Sequence, residues 1–324
     1  MYSASKTLIS LELAREIVRR HFGTGLRLAA FEELKDGFFN AAYLLELENG
    51  PRCVLKVAPP ESIAVLRYEK GILRTEWEVL ALVKQHTEMP VPEVLFYDPS
   101  HSLLENDYYL MDFVPGVPLN KVRNQLQSEE QWAIDYQAGQ YLRQVNEIAG
   151  DYFGYPALAN QHFHSWRAGF EQIVKDVLAD GEAMQVALPV PCHELYTRLK
   201  EVYPVLDEVV SPRLVHWDLW DGNIFIDLES KRISGMIDFE RALWADPLME
   251  CNFGAMGGNP AFLAGYGQEM LDTPAKRCRR ILYDVYLFLI MVIECYYRQY
   301  ETRDQENWAR EQLARQLDRL DSID

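Results

Sequence analysis

The sequence has no long uninterrupted apolar run, no low-complexity tract and no internal repeat. Its most apolar stretch, residues 281–297, contains Asp284 and Glu294 and is too short and too polar to cross a bilayer, which predicts a core helix. The first twenty residues lack the apolar core of a signal peptide and have the pattern of an amphipathic helix. These features predict a cytoplasmic protein without a membrane partner.

Basic residues are scarce: 32 lysines and arginines stand against 49 acidic residues, a net charge of -17. Binding to nucleic acid needs clustered Lys and Arg to neutralise phosphates, so this class of partner is excluded. Of the net charge, -12 falls in residues 115–324. Solubility explains this acidity, and so does attraction of a cationic ligand.

Cysteines are also few. The five cysteines are scattered, odd in number and without metal-type spacing, so we expect reduced thiols rather than disulfides or a zinc site.

Two patterns of hydrophobic residues divide the chain. Residues 27–58 alternate like strands, with a two-residue hairpin turn expected at Asn49-Gly50, and a helix is predicted over roughly residues 62–85. A further strand over 107–113 ends at a Val-Pro-Gly break, after which helical patterns dominate apart from short strands within 213–240. We therefore predict an α+β fold with a small β-rich lobe, 1–114, and a larger, mostly helical lobe, 115–324.

The strongest functional motif is LVHWDLWDGNIFID, followed by ISGMIDFE. It places Asp218 two residues after His216 and Asn223 five residues after Asp218, and a strand, a turn and a second strand then lead to Asp238. Phosphoryl transfer needs these residue types, because metal ions must bridge the phosphates while a carboxylate orients the attacking hydroxyl. Mg²⁺ prefers hard oxygen ligands, so Asn223 and Asp238 are candidate metal ligands and Asp218 is the candidate catalytic residue.

This stretch resembles the aminoglycoside phosphotransferase and choline kinase family, whose members typically read H-G-D-x-x-x-x-N, then a hairpin, then an Asp followed by Phe or Trp. The ALWADP segment further along extends the resemblance. The resemblance implies a protein-kinase-like two-lobe fold, ATP and Mg²⁺ as cofactors, and a small molecule with a hydroxyl group as acceptor.

The resemblance extends upstream. Lys56, in CVLKV, resembles the strand lysine that contacts nucleotide phosphates, and Glu76 resembles the helix glutamate that pairs with it. Glu78 is the alternative partner, because the register of a helix is uncertain from one sequence. The loop Asp36–Asn40 replaces a glycine-rich phosphate loop, and in it Phe38 and Asn40 are candidate nucleotide contacts.

The segment YYLMDFVPG resembles the hinge of the family. Met111 would lie at the back of the nucleotide pocket, and the backbone from Asp112 to Val114 would bond the adenine edge.

Two departures from the family concern the catalytic motif itself. Trp217 stands where the family has glycine and either packs under the loop or shapes the acceptor pocket, while Glu240 is either an acid of the pocket or an ion-pair partner of a nearby base such as Arg241.

Five other polar residues are interpreted as having no part in catalysis. His216 is expected to tie the loop to the backbone near Asp238, Asp246 to cap or brace the loop, and Asp221 to face solvent. His162 and His164 have metal-like spacing but no evident third ligand.

Together these features predict an ATP-dependent kinase that phosphorylates a hydroxyl of a small molecule, such as an aminoglycoside-like antibiotic, an amino alcohol or a sugar. The alternatives are a pseudokinase-like nucleotide-binding module and a protein kinase. A protein kinase is disfavoured because no A-P-E-like anchor follows Asp238. The acceptor and the oligomeric state are not readable from the residues.

Overall fold

The computed structural model describes residues 6–35, 37 and 39–322, which form a β-rich lobe followed by a larger helical lobe. The helices are α1 Leu11–Phe22, α2 Ile72–His86, α3 Leu119–Val122, α4 Ser128–Glu147, α5 Trp166–Ala183, α6 Cys192–Val202, α7 Pro260–Tyr266, α8 Pro274–Arg298 and α9 Asp304–Asp321. The strands are β1 Leu28–Leu34, β2 Ala41–Leu47, β3 Arg52–Val57, β4 Val94–Asp98, β5 Tyr108–Asp112, β6 Val117–Pro118, β7 Arg213–Val215, β8 Ile224–Asp227, β9 Arg232–Met236 and β10 Leu243–Ala245.

The first lobe is built on a five-stranded antiparallel sheet in the order β1-β2-β3-β5-β4. Both faces of β3 are covered, because alternate residues point to opposite sides of a strand. Cys53 and Leu55 belong to the core that includes α1, whereas Val54 packs with Leu73 of α2. Lys56 lies on the same face as Val54, so it is directed towards α2.

The hairpin between β2 and β3 forms, but its connection differs from the expected two-residue turn. Asn49 adopts a left-handed φ of 55°, and the Gly50 N–H donates to the Leu47 oxygen at 3.2 Å. The connection spans residues 48–51, because Pro51 has no N–H with which to extend the antiparallel ladder.

The helix expected from about residue 62 begins at Ile72 instead. The preceding residues form a segment that we call the connector, residues 58–71, with a 3₁₀ turn at Arg67–Glu69. Gly71, at the N-cap of α2, has a left-handed φ of 73°, which breaks the helical path. The carboxylate of Glu69 accepts the Leu66 N–H at 2.8 Å and closes the 3₁₀ turn.

Helix α8 forms the centre of the second lobe. Most of its residues are buried against α5, α9 and the segments around the short strands. The core helix expected over 281–297 is therefore confirmed. Across the part of the chain that the structure describes, no helix is both long enough and apolar enough to cross a membrane.

The connector contacts the second lobe through two ion pairs. Glu69 pairs with Arg298 at the end of α8, and Arg67 pairs with Asp180 of α5. The first pair is almost completely buried. These contacts place the connector, and therefore the start of α2, against the helical lobe.

Candidate functional site

The candidate catalytic loop, residues 216–223, connects β7 to β8. His216 at its start is completely buried. Its Nε2 lies 3.2 Å from the Ile237 oxygen, and its Nδ1 accepts the Asp218 N–H at 3.3 Å. Burial lowers the pKa of His216 to about 4, so the ring is neutral. His216 therefore ties the loop to the backbone beside Asp238.

The Asp218 carboxylate is partly exposed, with 32% of its side chain accessible. The Arg241 Nε lies 3.9 Å from its Oδ2. Burial raises the pKa of Asp218 to about 7; Arg241 opposes this rise, and the charges of Asp238 and Glu294 add to it. Asp218 is thus a partly accessible carboxylate held beside one guanidinium.

Asn223 closes the loop from its other end. Its Nδ2 donates to the Asp218 main-chain oxygen at 2.8 Å, which leaves the amide oxygen, the usual metal ligand of asparagine, outside that bond. The Asn223 carbonyl accepts the Ile237 N–H at 3.0 Å. Asp238 follows directly in a left-handed conformation with φ 74°. The short hairpin β8–β9 therefore brings Asp238 back to the loop.

Lys56 joins the two lobes at this point. Its Nζ donates to both Glu76 carboxylate oxygens, at 2.8 and 2.7 Å, and to Asp238 Oδ1 at 2.9 Å. Although burial lowers it, the pKa of Lys56 is raised well above its ordinary value by the carboxylates of Asp238 and Glu76. Glu78 is not the partner, because it pairs with Arg74 on the exposed side of α2.

Glu240 adds a third carboxylate to this group. One carboxylate oxygen from each of Glu76, Asp238 and Glu240 lies within 4.8 Å of the other two. Glu240 accepts the Asn40 Nδ2 at 2.5 Å, and burial together with Asp238 raises its pKa well above the ordinary range. Lys56 alone cannot balance three ionised carboxylates, so Glu240 favours its protonated form. A divalent cation such as Mg²⁺ would favour the ionised form instead, and three hard oxygen donors fit such an ion.

Of the two alternatives for Glu240, the structure favours the acid of the pocket. Arg241 bonds Glu294 instead, at 3.2 Å, and its Nε approaches Asp218.

The loop expected to hold phosphates is described at three positions. Asp36 and Phe38 lie outside the described residues. Phe39 is buried with the Arg298 guanidinium 4.4 Å from its ring centroid. Asn40, directly before β2, reaches the carboxylates of the site by donating to Glu240.

The segment that resembles the hinge consists of β5 and the residues that follow it. Met111 is buried at the end of this strand and packs with Tyr109 and Val54. The Asp112 N–H donates to the Glu93 oxygen at 2.9 Å, so it belongs to the sheet and is not directed at a ligand. The Phe113 N–H donates to the Arg52 oxygen at 3.2 Å, so it too belongs to the sheet. The set of main-chain donors left for a base is therefore narrower than the one predicted from the sequence.

Glu250 is a residue of the site that the sequence reasoning missed. Its carboxylate is fully buried and accepts the main-chain N–H groups of His216 and Trp217, both at 2.8 Å, and Asn146 Nδ2 at 2.9 Å. It braces the catalytic loop from behind. The sequence feature that could have pointed to Glu250 is its position as an acidic residue four places after Asp246.

The two tryptophans of the loop have different surroundings. Trp217 packs under the loop with 2% of its surface exposed. Trp220, which the sequence reasoning did not single out, is 48% exposed. A Cβ added at Gly222 would lie 2.3 Å from the Trp220 ring, so glycine at that position lets the ring lie across the loop.

The paired histidines do not form a metal site with described residues. His162 stacks on Tyr152 with ring centroids 3.5 Å apart, and His164 is exposed. Neither belongs to a group of three potential ligands in the described ranges.

Two aspartates have structural partners. Asp221 is not simply solvent-facing, because the Arg123 guanidinium binds it together with Asp135. Asp246 accepts the Leu248 N–H and bonds Arg279 and Tyr283 of α8, which agrees with the bracing role expected for it.

Comparisons with known proteins agree with this geometry. The sequence profile of the phosphotransferase enzyme family matches residues 30–282, which is more than three quarters of the chain. A relative from Vibrio parahaemolyticus, named "Probable ketoamine kinase", is 26% identical over 220 residues, which is 66% of this chain and 72% of the relative. A 23% identical match from Arabidopsis thaliana, named "Probable acyl-CoA dehydrogenase IBR3", is covered over only 27% of its length.

Solved structures share the fold at low sequence identity. A chain from Haemophilus somnus named as a fructosamine-3-kinase superposes with a TM-score of 0.68 at 16% identity, covering 94% of this chain and 96% of that one. The aminoglycoside phosphotransferase APH(4)-Ia, bound to AMP-PNP and hygromycin B, gives 0.63 at 16% identity, covering 95% and 98%. The streptomycin–ATP complex of APH(2")-IIa gives 0.60 at 18% identity, covering 98% and 97%.

Proposed function

The chain belongs to the phosphotransferase enzyme family and is a small-molecule kinase, and from that premise we propose that it transfers the γ-phosphate of ATP to a hydroxyl group of an amino-sugar-like acceptor. The observation that carries the proposal is the meeting of Lys56, Glu76 and Asp238 beside the accessible carboxylate of Asp218. This arrangement supplies the phosphate-binding cation, a metal-binding carboxylate and a base within one cleft.

We assign residues 1–114 to nucleotide binding and residues 115–324 to catalysis and acceptor binding. Lys56, oriented by Glu76, contacts the phosphates, and the loop with Phe38 and Asn40 covers them. Met111 closes the back of the adenine pocket, while the backbone between Asp112 and Val114 bonds the base.

Asn223 and Asp238 would hold Mg²⁺, with Glu240 close enough to add an oxygen or to bond a water of the ion. When bound, the ion neutralises charge on the phosphate oxygens during transfer. Lys56 holds the Asp238 carboxylate in place through an ion pair.

Asp218 acts on the acceptor. Its carboxylate accepts a hydrogen bond from the hydroxyl and receives the proton as the oxygen attacks the γ-phosphorus. A new O–P bond forms, the bond to the β-phosphate oxygen breaks, and ADP leaves. A pKa near 7 suits this role, because the carboxylate is a stronger base than an ordinary aspartate.

Two features support an amino-sugar acceptor. The ring of Trp220, two residues after Asp218, is an exposed flat apolar surface of the kind that packs against a sugar ring. The net charge of -12 in residues 115–324 attracts a cationic amine. Both features agree with the names of one curated relative and of the solved structures above, a ketoamine kinase, a fructosamine-3-kinase and aminoglycoside phosphotransferases, since such acceptors combine an amine with hydroxyl groups.

A coupled ADP-release assay tests the proposal. The purified chain with MgATP is screened against fructosyl-lysine, streptomycin, kanamycin, choline and ribose, and mass spectrometry identifies the phosphorylated product. We expect acceptor-dependent ADP release with at least one amine-bearing sugar. Nucleotide binding without transfer to any acceptor would favour the pseudokinase alternative, and failure to bind MgATP would contradict the kinase assignment.

A further inference from the structure

Trp217 lies in a backbone conformation that side chains other than glycine rarely adopt. Its φ is 66°, in the left-handed region, at the position where the resembled family has glycine. Such a conformation persists in a bulky residue only when its surroundings hold it there. The contacts of Trp217 therefore show what the catalytic loop is anchored to.

The main chain of Trp217 is bonded on both sides. Its N–H donates to the Glu250 carboxylate at 2.8 Å, and its carbonyl lies 2.9 Å from the Cys251 thiol. The next residue is Asp218, so these bonds hold the backbone from which the proposed base projects.

The indole belongs to a four-ring cluster made of Trp217, Tyr286, Tyr155 and Tyr68. Trp217 stacks on Tyr286 of α8 with centroids 5.4 Å apart and planes at 19°, and it meets the edge of Tyr68 at 6.1 Å and 80°. Tyr155 stacks on Tyr68 at 5.6 Å, and its hydroxyl lies 3.0 Å from that of Tyr286. All four rings are at least nine-tenths buried.

Ring packing rather than hydrogen bonding holds the indole. Trp217 Nε1 is buried and has no hydrogen-bond partner among the described residues. A buried indole N–H usually finds a partner, so the side chain is retained here for its shape and contacts.

Tyr68 makes this cluster relevant to catalysis. It belongs to the connector, which begins two residues after Lys56 and ends five residues before Glu76. Its ring also lies 5.9 Å from the guanidinium of Arg241, which approaches Asp218. The cluster thus links the loop that carries Asp218 to the segment between the two nucleotide-lobe residues of the site.

We propose that Trp217 is a positioning residue: through the four-ring cluster it sets the placement of Asp218 relative to Lys56 and Glu76. The role rests on the transfer chemistry proposed above. In a Trp217→Gly variant the backbone strain of the left-handed φ is relieved, but the loop loses its contact with the connector. Asp218 then samples positions away from the line of attack, and turnover falls while nucleotide binding is retained.

Steady-state kinetics and hydrogen exchange of four variants test the proposal. For Trp217→Gly we expect kcat to fall by about tenfold to a hundredfold, with KM for ATP within about twofold of wild type. Amide exchange in residues 214–224 should accelerate by about tenfold, because the loop opens more often. Trp217→Phe keeps a ring in the cluster and should recover kcat to within about threefold of wild type.

Trp166→Leu is the matched control for lost stability. Trp166 is as buried as Trp217, but its indole N–H bonds Tyr283 rather than the loop. The kcat per folded enzyme of the Trp166→Leu variant should therefore stay within about twofold of wild type. Tyr68→Leu removes the ring that the connector contributes to the cluster, so it should lower kcat by the same factor as Trp217→Gly. This second variant keeps the test decisive if Trp217→Gly does not fold.

Unchanged kcat and unchanged loop exchange in Trp217→Gly or Tyr68→Leu would overturn the positioning role, as would an equal kcat loss in Trp166→Leu. Exchange does not depend on turnover. If the wild type phosphorylates no acceptor but loop exchange still accelerates in Trp217→Gly, the proposed function fails while the anchoring of the loop stands.

Discussion

The ammonium group of Lys56 bonds both oxygens of Glu76 and one oxygen of Asp238, so a single side chain on β3 joins helix α2 to the end of the β8–β9 hairpin. Lys56 and Glu76 are almost completely buried. Removing Glu76 would leave the buried ammonium with Asp238 as its one remaining carboxylate partner, and losing a partner of a buried ion pair costs more than the pair itself contributes.

Glu76→Ala should therefore lower the free energy of unfolding by about 3 kcal/mol and weaken MgATP binding by about tenfold or more, because Lys56 loses the group that orients it. Glu78→Ala is the control on the same helix. Its ion pair with Arg74 is exposed, so the loss should stay below about 0.5 kcal/mol. Urea unfolding and calorimetry measure both effects, and equal effects of the two substitutions would contradict the assignment of Glu76.

Asp218→Asn should lower kcat by about a thousandfold while the Kd for MgATP stays within about threefold, since the amide cannot accept the proton of the attacking hydroxyl. Asp221→Asn, in the same loop but bound to Arg123, should retain most of the turnover per folded enzyme. Turnover near that of the wild type in Asp218→Asn would remove Asp218 from the mechanism.

Asp238→Asn should abolish the dependence of ATP binding on Mg²⁺. In the wild type, adding EDTA should weaken ATP binding, because Asp238 with Asn223 would hold the ion; in the variant the affinity should be weak with and without the ion. Asp227→Asn, an exposed position at the end of β8, serves as the control. Calorimetric titrations with and without Mg²⁺ check this, and a persistent effect of Mg²⁺ in the Asp238 variant counts against the proposed ligand.

The buried ring of His216 gives a pH dependence of stability. Burial lowers the pKa of His216 in the folded protein to about 4, below the value of about 6.5 in the unfolded chain. Its contribution to the free energy of unfolding is therefore complete above pH 6.5 and is lost as the pH falls towards 4. Relative to His216→Gln, the wild type should lose about 2 kcal/mol between pH 7.5 and pH 5. Urea unfolding of both proteins across this range measures the difference, and a constant difference would show that His216 is not held neutral.

The pair Glu69–Arg298 fastens the connector to α8 in an almost dry environment. Glu69→Ala should cost about 3–5 kcal/mol because it leaves the Arg298 guanidinium buried without its partner. The double change Glu69→Met with Arg298→Met should cost less than either single change, since no charge then remains buried. A double-mutant cycle measured by urea unfolding yields the coupling free energy of the two side chains. If the losses in the free energy of unfolding were additive, the two side chains would not act as a pair.

Much of the site could be predicted from local patterns. Alternation along β3 places Lys56 on the same face as Val54, and the spacing from Asp218 to Asn223 is a property of one short loop between two strands. The helix start at Ile72 could not be predicted in the same way, because it depends on the left-handed Gly71 and on the contact of Glu69 with a residue 229 positions away.

The sequence by itself determined the residue types and their order: the lysine strand, the glutamate helix, the loop around Asp218 and the aspartate after the hairpin. Only the tertiary structure decided between neighbours one or two positions apart, because packing selects which face of a helix is buried. It placed Glu76 rather than Glu78 on Lys56, and it put Glu240 with Asp238 while Arg241 bonds Glu294. It also put the indole of Trp217 among three tyrosines distant in the sequence, an arrangement that no local pattern encodes.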